Sequence, residues 1–279
     1  MTGSLLIYNE RSGRSDPALL AEIEALFADA GRPIGRKLAL GEADLPTAAS
    51  ARAERLDLVV TLSGDGSMSS VADRLGGWDG TLLVLPGGTM NLLSHALHGD
   101  LTAPEVVTAH LAGKGSVLQV PVLRAGDLTA YTGIIIGPTA AWGDVREDLR
   151  NLDVAALAAN VPRALAATFK EPGVVLDEHA GEYPAIFVEP GRTGLRAYGV
   201  LASSAGDLFG HGWAWLSGDF RNGPSEPLGT ARNMRFRTGS ARLDLLVDGE
   251  KEEAPNLLDV YADKSRVHFH AVLDDVAWP

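Results

Sequence analysis

Two apolar runs, each ending in a glycine turn, constrain this chain more than any other feature. The first is Leu56–Ser67, LDLVVTLSGDGS, and the second is Leu82–Asn91, LLVLPGGTMN. A strand apolar on both faces fits a parallel sheet covered by helices, where neither side meets water. A strand that runs into such a turn delivers backbone N–H groups, and here a carboxylate, to the carboxyl edge of the sheet. The repetition predicts two neighbouring strands, each followed by a helix.

The flanking sequence extends the same alternation. Ser4–Tyr8 reads as a short buried strand running into the polar turn Asn9–Ser15. Asp16 then has the character of an N-cap with Pro17 at the first helical position. Leu19, Leu20, Ile23, Leu26, Phe27 and Ala30 follow at helical spacing, with Gly31 as the stop. Gly35–Leu40 is a weak strand signal, and Thr47–Leu56 is compatible with a helix. Further helices are expected at Ser69–Leu75, Met90–Leu97 and Pro104–Leu111. The pattern is that of an α/β domain with a mostly parallel sheet.

Past Gly113–Gly115 the texture changes to short strand-like runs and turns. Ser116–Ala125 and Leu128–Ile136 are expected to form a hairpin through Gly126-Asp127. Further strands are expected at Ala185–Glu189, Leu195–Ser203, Trp213–Leu216, Met234–Arg237, Ala241–Val247, Leu257–Val260 and Arg266–Ala271. Val145–Phe169 is the exception, a long Ala/Leu-rich segment compatible with a helix that Pro162 interrupts. The expected organisation is an α/β domain over residues 1–114 and a β-rich, antiparallel, sandwich-like domain with a helical insertion over 115–279. The last residues of the second can return to the first.

Composition narrows the chemistry. With 279 residues and 46% apolar content, the chain can bury one large core or two ordinary ones. The absence of cysteine excludes disulfides, thiolate metal sites and cysteine nucleophiles. A formal charge of −12 argues against nucleic acid as a partner and against bulk attraction to anionic membranes. No apolar stretch reaches bilayer-spanning length, and the opening MTGSLLIYNE lacks the basic start of a secretion signal.

The turns carry the functional argument. In Ser63-Gly64-Asp65-Gly66-Ser67 the glycines permit close backbone approach, and successive N–H groups at a helix start can cradle an anion. Ser67 can donate to a phosphate oxygen. Asp65 sits well beside a phosphate only with a bridging divalent cation or as a proton acceptor. Pro86-Gly87-Gly88-Thr89-x-Asn91 repeats the small residues, amides and hydroxyl. A plain pair of tight turns is the alternative. Neither turn is a P-loop, and no G-x-G-x-x-G follows the first strand. The late Val247-Asp248-Gly249-Glu250 reads by itself as a solvated β-turn.

Taken together, Asn9-Glu10-Arg11-Ser12-Gly13, LSGDGS, LPGGTMN and VDGE resemble, in order and approximate spacing, the diacylglycerol kinase catalytic family. The branch is that of the soluble bacterial lipid kinases related to sphingosine and ceramide kinases. The resemblance implies a nucleotide-binding α/β domain, a β-rich lipid domain, and ATP with Mg2+ in the cleft between them. It implies transfer of the γ-phosphoryl group to a lipid hydroxyl, with diacylglycerol or a related lipid as substrate. By position, Asn9, Ser12, Gly13, Gly64, Asp65, Gly66, Ser67, Gly88, Thr89 and Asn91 would contact the nucleotide. Asp65, Asp248 and Glu250 would be the catalytic acids, with Asp65 or Asp248 the general base and Asp65 and Glu250 the metal contacts. Partners would be a lipid at a membrane surface, reached by transient peripheral contact from the cytoplasm at the inner membrane face. A homodimer is left open.

Three departures stand out. Glu10 replaces the family's proline, Ser69-Ser70 replaces an asparagine–glutamate pair, and Leu92 replaces an aspartate after the asparagine. A binding protein that has lost catalysis and a kinase acting on NAD or another small molecule are therefore the alternatives. Arg221–Arg242, with five arginines against Glu226, could face anionic headgroups or could be a strand face offset by nearby acids. Gly210–Leu216 could border an acyl-chain cavity or belong to a core. The seven histidines show no metal-ligand spacing.

Overall fold

The computed structural model describes residues 3–9, 16–137, 172–201 and 225–273. The chain divides into two compact units. One runs to Val120 and resumes at Lys264; the other spans Pro121–Asp263.

The first unit alternates β1 (Gly3–Tyr8), α1 (Pro17–Asp29), β2 (Arg36–Ala39), α2 (Ala48–Ala53), β3 (Leu56–Ser63), α3 (Asp65–Arg74) and β4 (Thr81–Pro86). Then come α4 (Leu92–His98), α5 (Ala103–Leu111) and β5 (Ser116–Leu118). The caps explain several of the helix starts. Asp16 accepts a hydrogen bond from the Ala18 amide at 2.9 Å, and Thr47 and Thr102 each close a capping box. Such caps stabilise a helix by about 1 kcal/mol each. β3 and β4 are buried on both faces. Leu58, Val60, Leu62, Leu83 and Leu85 pack with Ile23 and Phe27 of α1 and with Val106 and Val107 of α5. Each such side chain contributes roughly 1.5–3 kcal/mol on burial.

The second unit holds β6 (Pro121–Ala125), β7 (Leu128–Ala130), β8 (Ile134–Ile136), β9 (Val174–Leu176), β10 (Glu182–Tyr183), β11 (Ile186–Pro190) and β12 (Leu195–Val200). It continues with β13 (Ser225–Ala231), β14 (Asn233–Val247) and β15 (Glu250–Lys264). Where residue pairs are resolved, its ten strands pair antiparallel. Their shared core includes Ile134, Ile136, Ile186, Val188, Phe236, Leu243 and Leu245. β16 (His268–Ala271) then returns to the first unit.

The first sheet has the order β2-β1-β3-β4-β16-β5. All its resolved pairings are parallel except β16 with β5. The fold class is thus an α/β unit with a mostly parallel sheet followed by an antiparallel β-rich unit. The segment expected to be a helical insertion, Val145–Phe169, and the expected strand Trp213–Leu216 lie outside the described residues, as does Gly210–Leu216 as a whole.

Several boundaries differ from the sequence expectation for identifiable reasons. Ser116–Ala125 is two strands in two sheets, because Ser265 takes the backbone between them: its hydroxyl accepts from the Val120 amide at 3.0 Å. Leu128–Ile136 breaks at Tyr131–Gly133, whose amides turn to a carboxylate instead of a neighbouring strand. Conversely, Met234–Arg237 and Ala241–Val247 belong to one strand, and the irregularity falls between Arg237 and Arg242. Leu257–Val260 is the middle of the much longer β15. Of Arg266–Ala271, only His268–Ala271 is a strand, β16 of the first sheet, where Phe269 is fully buried. α3 begins at Asp65, four residues before the expected start, so the Gly-Asp-Gly turn is itself the opening of the helix.

Candidate functional site

The first sheet reverses its strand order at β1, which lies between β2 and β3. In open α/β sheets, ligands bind outside the carboxyl ends of the strands at such a switch point. Here those ends are Tyr8-Asn9 and Ser63-Gly64, drawn together by the Asn9 amide donating to the Leu62 carbonyl at 3.2 Å. Ser12 and Gly13, expected beside them, lie outside the described residues.

Gly64 is the N-cap of α3, in extended conformation and without a side-chain cap; the first helical bond runs from the Met68 amide to its carbonyl at 3.0 Å. Asp65, Gly66 and Ser67 form the first turn. First-turn amides have no intrahelical acceptor, so this end of the helix favours an anion. Gly64 and Ser67 are half-buried, whereas Asp65 and Gly66 are buried.

The second turn lies directly against the first. β3 and β4 are parallel neighbours, with Ser63 opposite Pro86. A Cβ on Gly87 would fall 2.5 Å from the Ser63 nitrogen, and one on Gly88 would fall 2.4 Å from the Gly64 Cα. Real Cβ atoms do not approach backbone so closely, so both positions require glycine. Asn91 holds the left-handed conformation (φ 52°, ψ 40°) that it tolerates better than most residues. Its amide closes the turn on Gly88: Oδ1 accepts from the Gly88 N–H at 2.6 Å, and Nδ2 donates to the Gly88 carbonyl at 2.9 Å. Thr89, at the outer corner, is exposed.

Asp65 joins the two turns. Its Oδ2 accepts from the Leu92 amide and its Oδ1 from the Leu93 amide, both at 3.1 Å, so the carboxylate sits on the first turn of α4. Ser69 and Ser70, at the positions of the family's asparagine–glutamate pair, donate back along α3 to the carbonyls of Asp65 and Gly66 at 3.0 and 3.1 Å. They add no acid to the site.

In the second unit, Asp248 and Gly249 form the two-residue turn between β14 and β15, with φ of 47° and 87°. Both angles positive is the type I′ geometry that Asp-Gly favours. The Asp248 carboxylate is buried. It accepts from the amides of Tyr131 (2.8 Å), Thr132 (2.8 Å) and Gly133 (3.1 Å) and from the Thr132 hydroxyl (2.7 Å). Glu250, two residues on, is exposed. The first-turn amides of α4 and the Tyr131–Gly133 amides have no signature in a sequence, because every residue except proline carries the same donor. Only the aspartates that hold them were visible.

The basic stretch around Arg235 is paired rather than open. Arg235 meets Asp259 at 2.6 Å, Arg237 meets Asp177 at 2.9 Å, and Arg242 pairs with Glu253 across the hairpin. The histidines form one feature that their spacing did not show. His98, His110 and His270 gather inside the first unit, with the rings of His110 and His270 edge to face at 4.5 Å. Burial holds all three below the ordinary histidine range, His98 and His110 down to about 4, with His270 adding repulsion to both.

Two groups implied by the resemblance can be tested against these residues. A polyphosphate fits the paired turns, where glycines bring bare backbone to the sheet edge. A magnesium cage made by protein alone does not: among the described residues no group of three or more His, Cys, Asp or Glu side chains could hold a metal ion. Magnesium is commonly held by one or two carboxylates together with substrate phosphates, and that mode is compatible with this site.

Comparison with known proteins agrees with this architecture. Residues 4–124 match the family model of the diacylglycerol kinase catalytic domain. No curated protein sequence matches the chain. Among solved structures, one from Bacillus anthracis str. Sterne, provisionally described as a diacylglycerol kinase, superposes with a TM-score of 0.65. It shares 18% identity, over 96% of this chain and 97% of its own. A second from that organism, described as a diacylglycerol kinase, gives 0.62 at 16% identity over 96% of both chains. Yeast NADH kinase complexed with NADH gives 0.52 at 11% identity, over 99% of this chain and 85% of its own. Residues 4–124 are therefore similar to the diacylglycerol kinase catalytic domain, within a fold shared along nearly the whole length of the chain with the Bacillus anthracis structures.

Proposed function

We propose that this protein is an ATP-dependent lipid kinase that transfers the γ-phosphoryl group to the hydroxyl of diacylglycerol or a related lipid. The observation that carries the reading is the pair of interlocked glycine turns at the switch point of the first sheet. Backbone amides at Gly66 and Ser67, the Ser67 hydroxyl and the close-packed Gly87-Gly88 suit a chain of phosphates. Asn9 at the end of β1 and Thr89 at the corner of the second turn extend the polar lining. The kinase family match supports the choice of nucleotide.

The chemistry asks mainly for positioning and charge stabilisation. The turns hold the phosphates in line, the lipid oxygen forms a bond to the γ-phosphorus as the bond to the β-bridging oxygen breaks, and ADP leaves. The hydroxyl proton passes to a carboxylate of the motif set, for which Asp65 and Asp248 are the candidates. Magnesium arriving with the nucleotide supplies charge neutralisation, with Asp65 and Glu250 as the carboxylates that could meet it. The lipid would be taken from a membrane surface by a protein working from the cytoplasm. No helix among the described residues is long and apolar enough to cross a bilayer, which is compatible with that mode.

The fold likeness to NADH kinase supports a second reading, phosphorylation of a dinucleotide. The serines at positions 69 and 70, whose hydroxyls are spent on their own helix, support a third, nucleotide binding without turnover. One experiment separates them: labelled ATP with magnesium, offered diacylglycerol and other lipids in mixed micelles, and NAD(H) in parallel. Labelled lipid supports the proposal, labelled dinucleotide replaces it with the second reading, and ATP binding without product replaces it with the third.

A further inference from the structure

Asp65 stands where a general base or metal contact was expected, yet its geometry is that of a clamp. Each carboxylate oxygen already accepts a separate backbone amide, and the residue is only 8% exposed. Those amides belong to residues 27 and 28 positions further on. α4 also has no local side-chain cap, because Asn91 directs its own amide to Gly88. A carboxylate on the first turn of a helix satisfies donors that would otherwise be stranded and offsets the positive end of its dipole. Asp65 does this from another element. It thereby fixes the second glycine turn against the first, where Gly88 and Gly64 leave no slack.

We infer that Asp65 is a positioning residue, which acts on bound phosphates by holding the turn at Gly87–Asn91 in place and does not itself take the substrate proton. The inference rests on the phosphate-binding reading for its functional part; the clamp is a property of the fold alone. Leu92 is the natural focus of the clamp, because its position brings no carboxylate of its own and contributes only the amide that Asp65 holds.

The test compares wild-type, Asp65→Asn and Asp65→Ala full-length protein. Hydrogen exchange over residues 87–98 reads the clamp, calorimetry with ATP and magnesium reads the site, and rate against pH reads proton transfer. Loss of amide–carboxylate hydrogen bonds should speed exchange at Leu92 and Leu93 by roughly tenfold or more in Asp65→Ala. ATP affinity should fall by a similar factor. Asp65→Asn, which keeps one acceptor oxygen, should lie between and serves if the alanine variant does not fold. Remaining turnover should keep its acid limb. Unchanged exchange in Asp65→Ala would overturn the inference. So would an Asp65→Asn protein that binds ATP normally but loses turnover together with its acid limb, because that is the behaviour of a base. If wild-type protein binds no ATP, the phosphate-binding reading fails, while faster exchange in the variants still upholds the clamp.

Discussion

The two Asp-Gly turns use the same dipeptide for opposite local tasks. Gly64-Asp65-Gly66 takes a parallel strand into a helix with no positive φ at Asp65 or Gly66, whereas Asp248-Gly249 closes a hairpin with positive φ at both residues. Beyond the backbone they converge. Each aspartate is buried and turns its carboxylate onto amides of a distant segment, Leu92-Leu93 in one unit and Tyr131–Gly133 in the other. Buried backbone donors need acceptors wherever the chain leaves regular structure, and a short acid on a tight turn reaches them well. A glycine-flanked aspartate is therefore as apt to organise a site as to perform its chemistry.

The comparison gives a ranking that measurement can break. Asp248→Ala strands three amides and a hydroxyl, and should cost the second unit about 4 kcal/mol in urea unfolding. Asp65→Ala strands two amides and should cost the first unit about 2–3 kcal/mol. The reverse order would mean that the number of amides held does not set the importance of the carboxylate. Next comes Gly88→Ala, whose new methyl meets backbone that cannot yield; a loss of about 2 kcal/mol is expected. Gly249→Ala has a positive φ to overcome and should lose about 1–2 kcal/mol. Equal losses would show that the turn at Gly88 does not press on Gly64.

A further difference separates the units in acid. His98 is neutral in the fold, with its value lowered from 6.5 to about 4 by burial first and by His270 second. The unfolded chain therefore binds the proton first. Stability of the first unit is full above pH 6.5 and falls as pH drops from 6.5 towards 4, by roughly 2–3 kcal/mol from this residue. His98→Gln should flatten that slope in pH-dependent unfolding. The second unit has no buried histidine among its described residues. The smallest effects belong to the exposed ladder of Arg235, Arg237 and Arg242. Exposed pairs of this kind contribute little. Replacing Arg235 with alanine should leave the melting temperature and the binding to anionic vesicles unchanged, and a clear drop in vesicle binding would restore the headgroup-docking alternative.

Much of the α/β unit was legible because its signals are local. Asp16-Pro17 announces a helix start, and the unbroken apolar runs in β3 and β4 announce buried parallel strands. Gly87 and Gly88 mark a place where no side chain fits. What escaped depends on partners far along the chain. Nothing near Tyr131 says that its amide belongs to Asp248, or that Ser265 will divide Ser116–Ala125 between two sheets. The three histidines meet only after β16 comes back to lie beside β4. Which acids offset Arg235, Arg237 and Arg242 could not be read from the sequence, because they sit on the facing strand and on a separate loop.

The return of β16 sets an order of assembly. In the first sheet, this strand occupies the place between β4 and β5, yet it is synthesised after the whole of the second unit. During translation the edges of β4 and β5 wait unpaired while about 140 residues are added. That takes roughly 7–30 s at the ~5–20 residues per second of ribosomal synthesis. The two glycine turns, among the first features made, thus sit on a sheet that is among the last completed, and slow elongation through the second unit prolongs the interval in which bare strand edges can pair with the wrong chain.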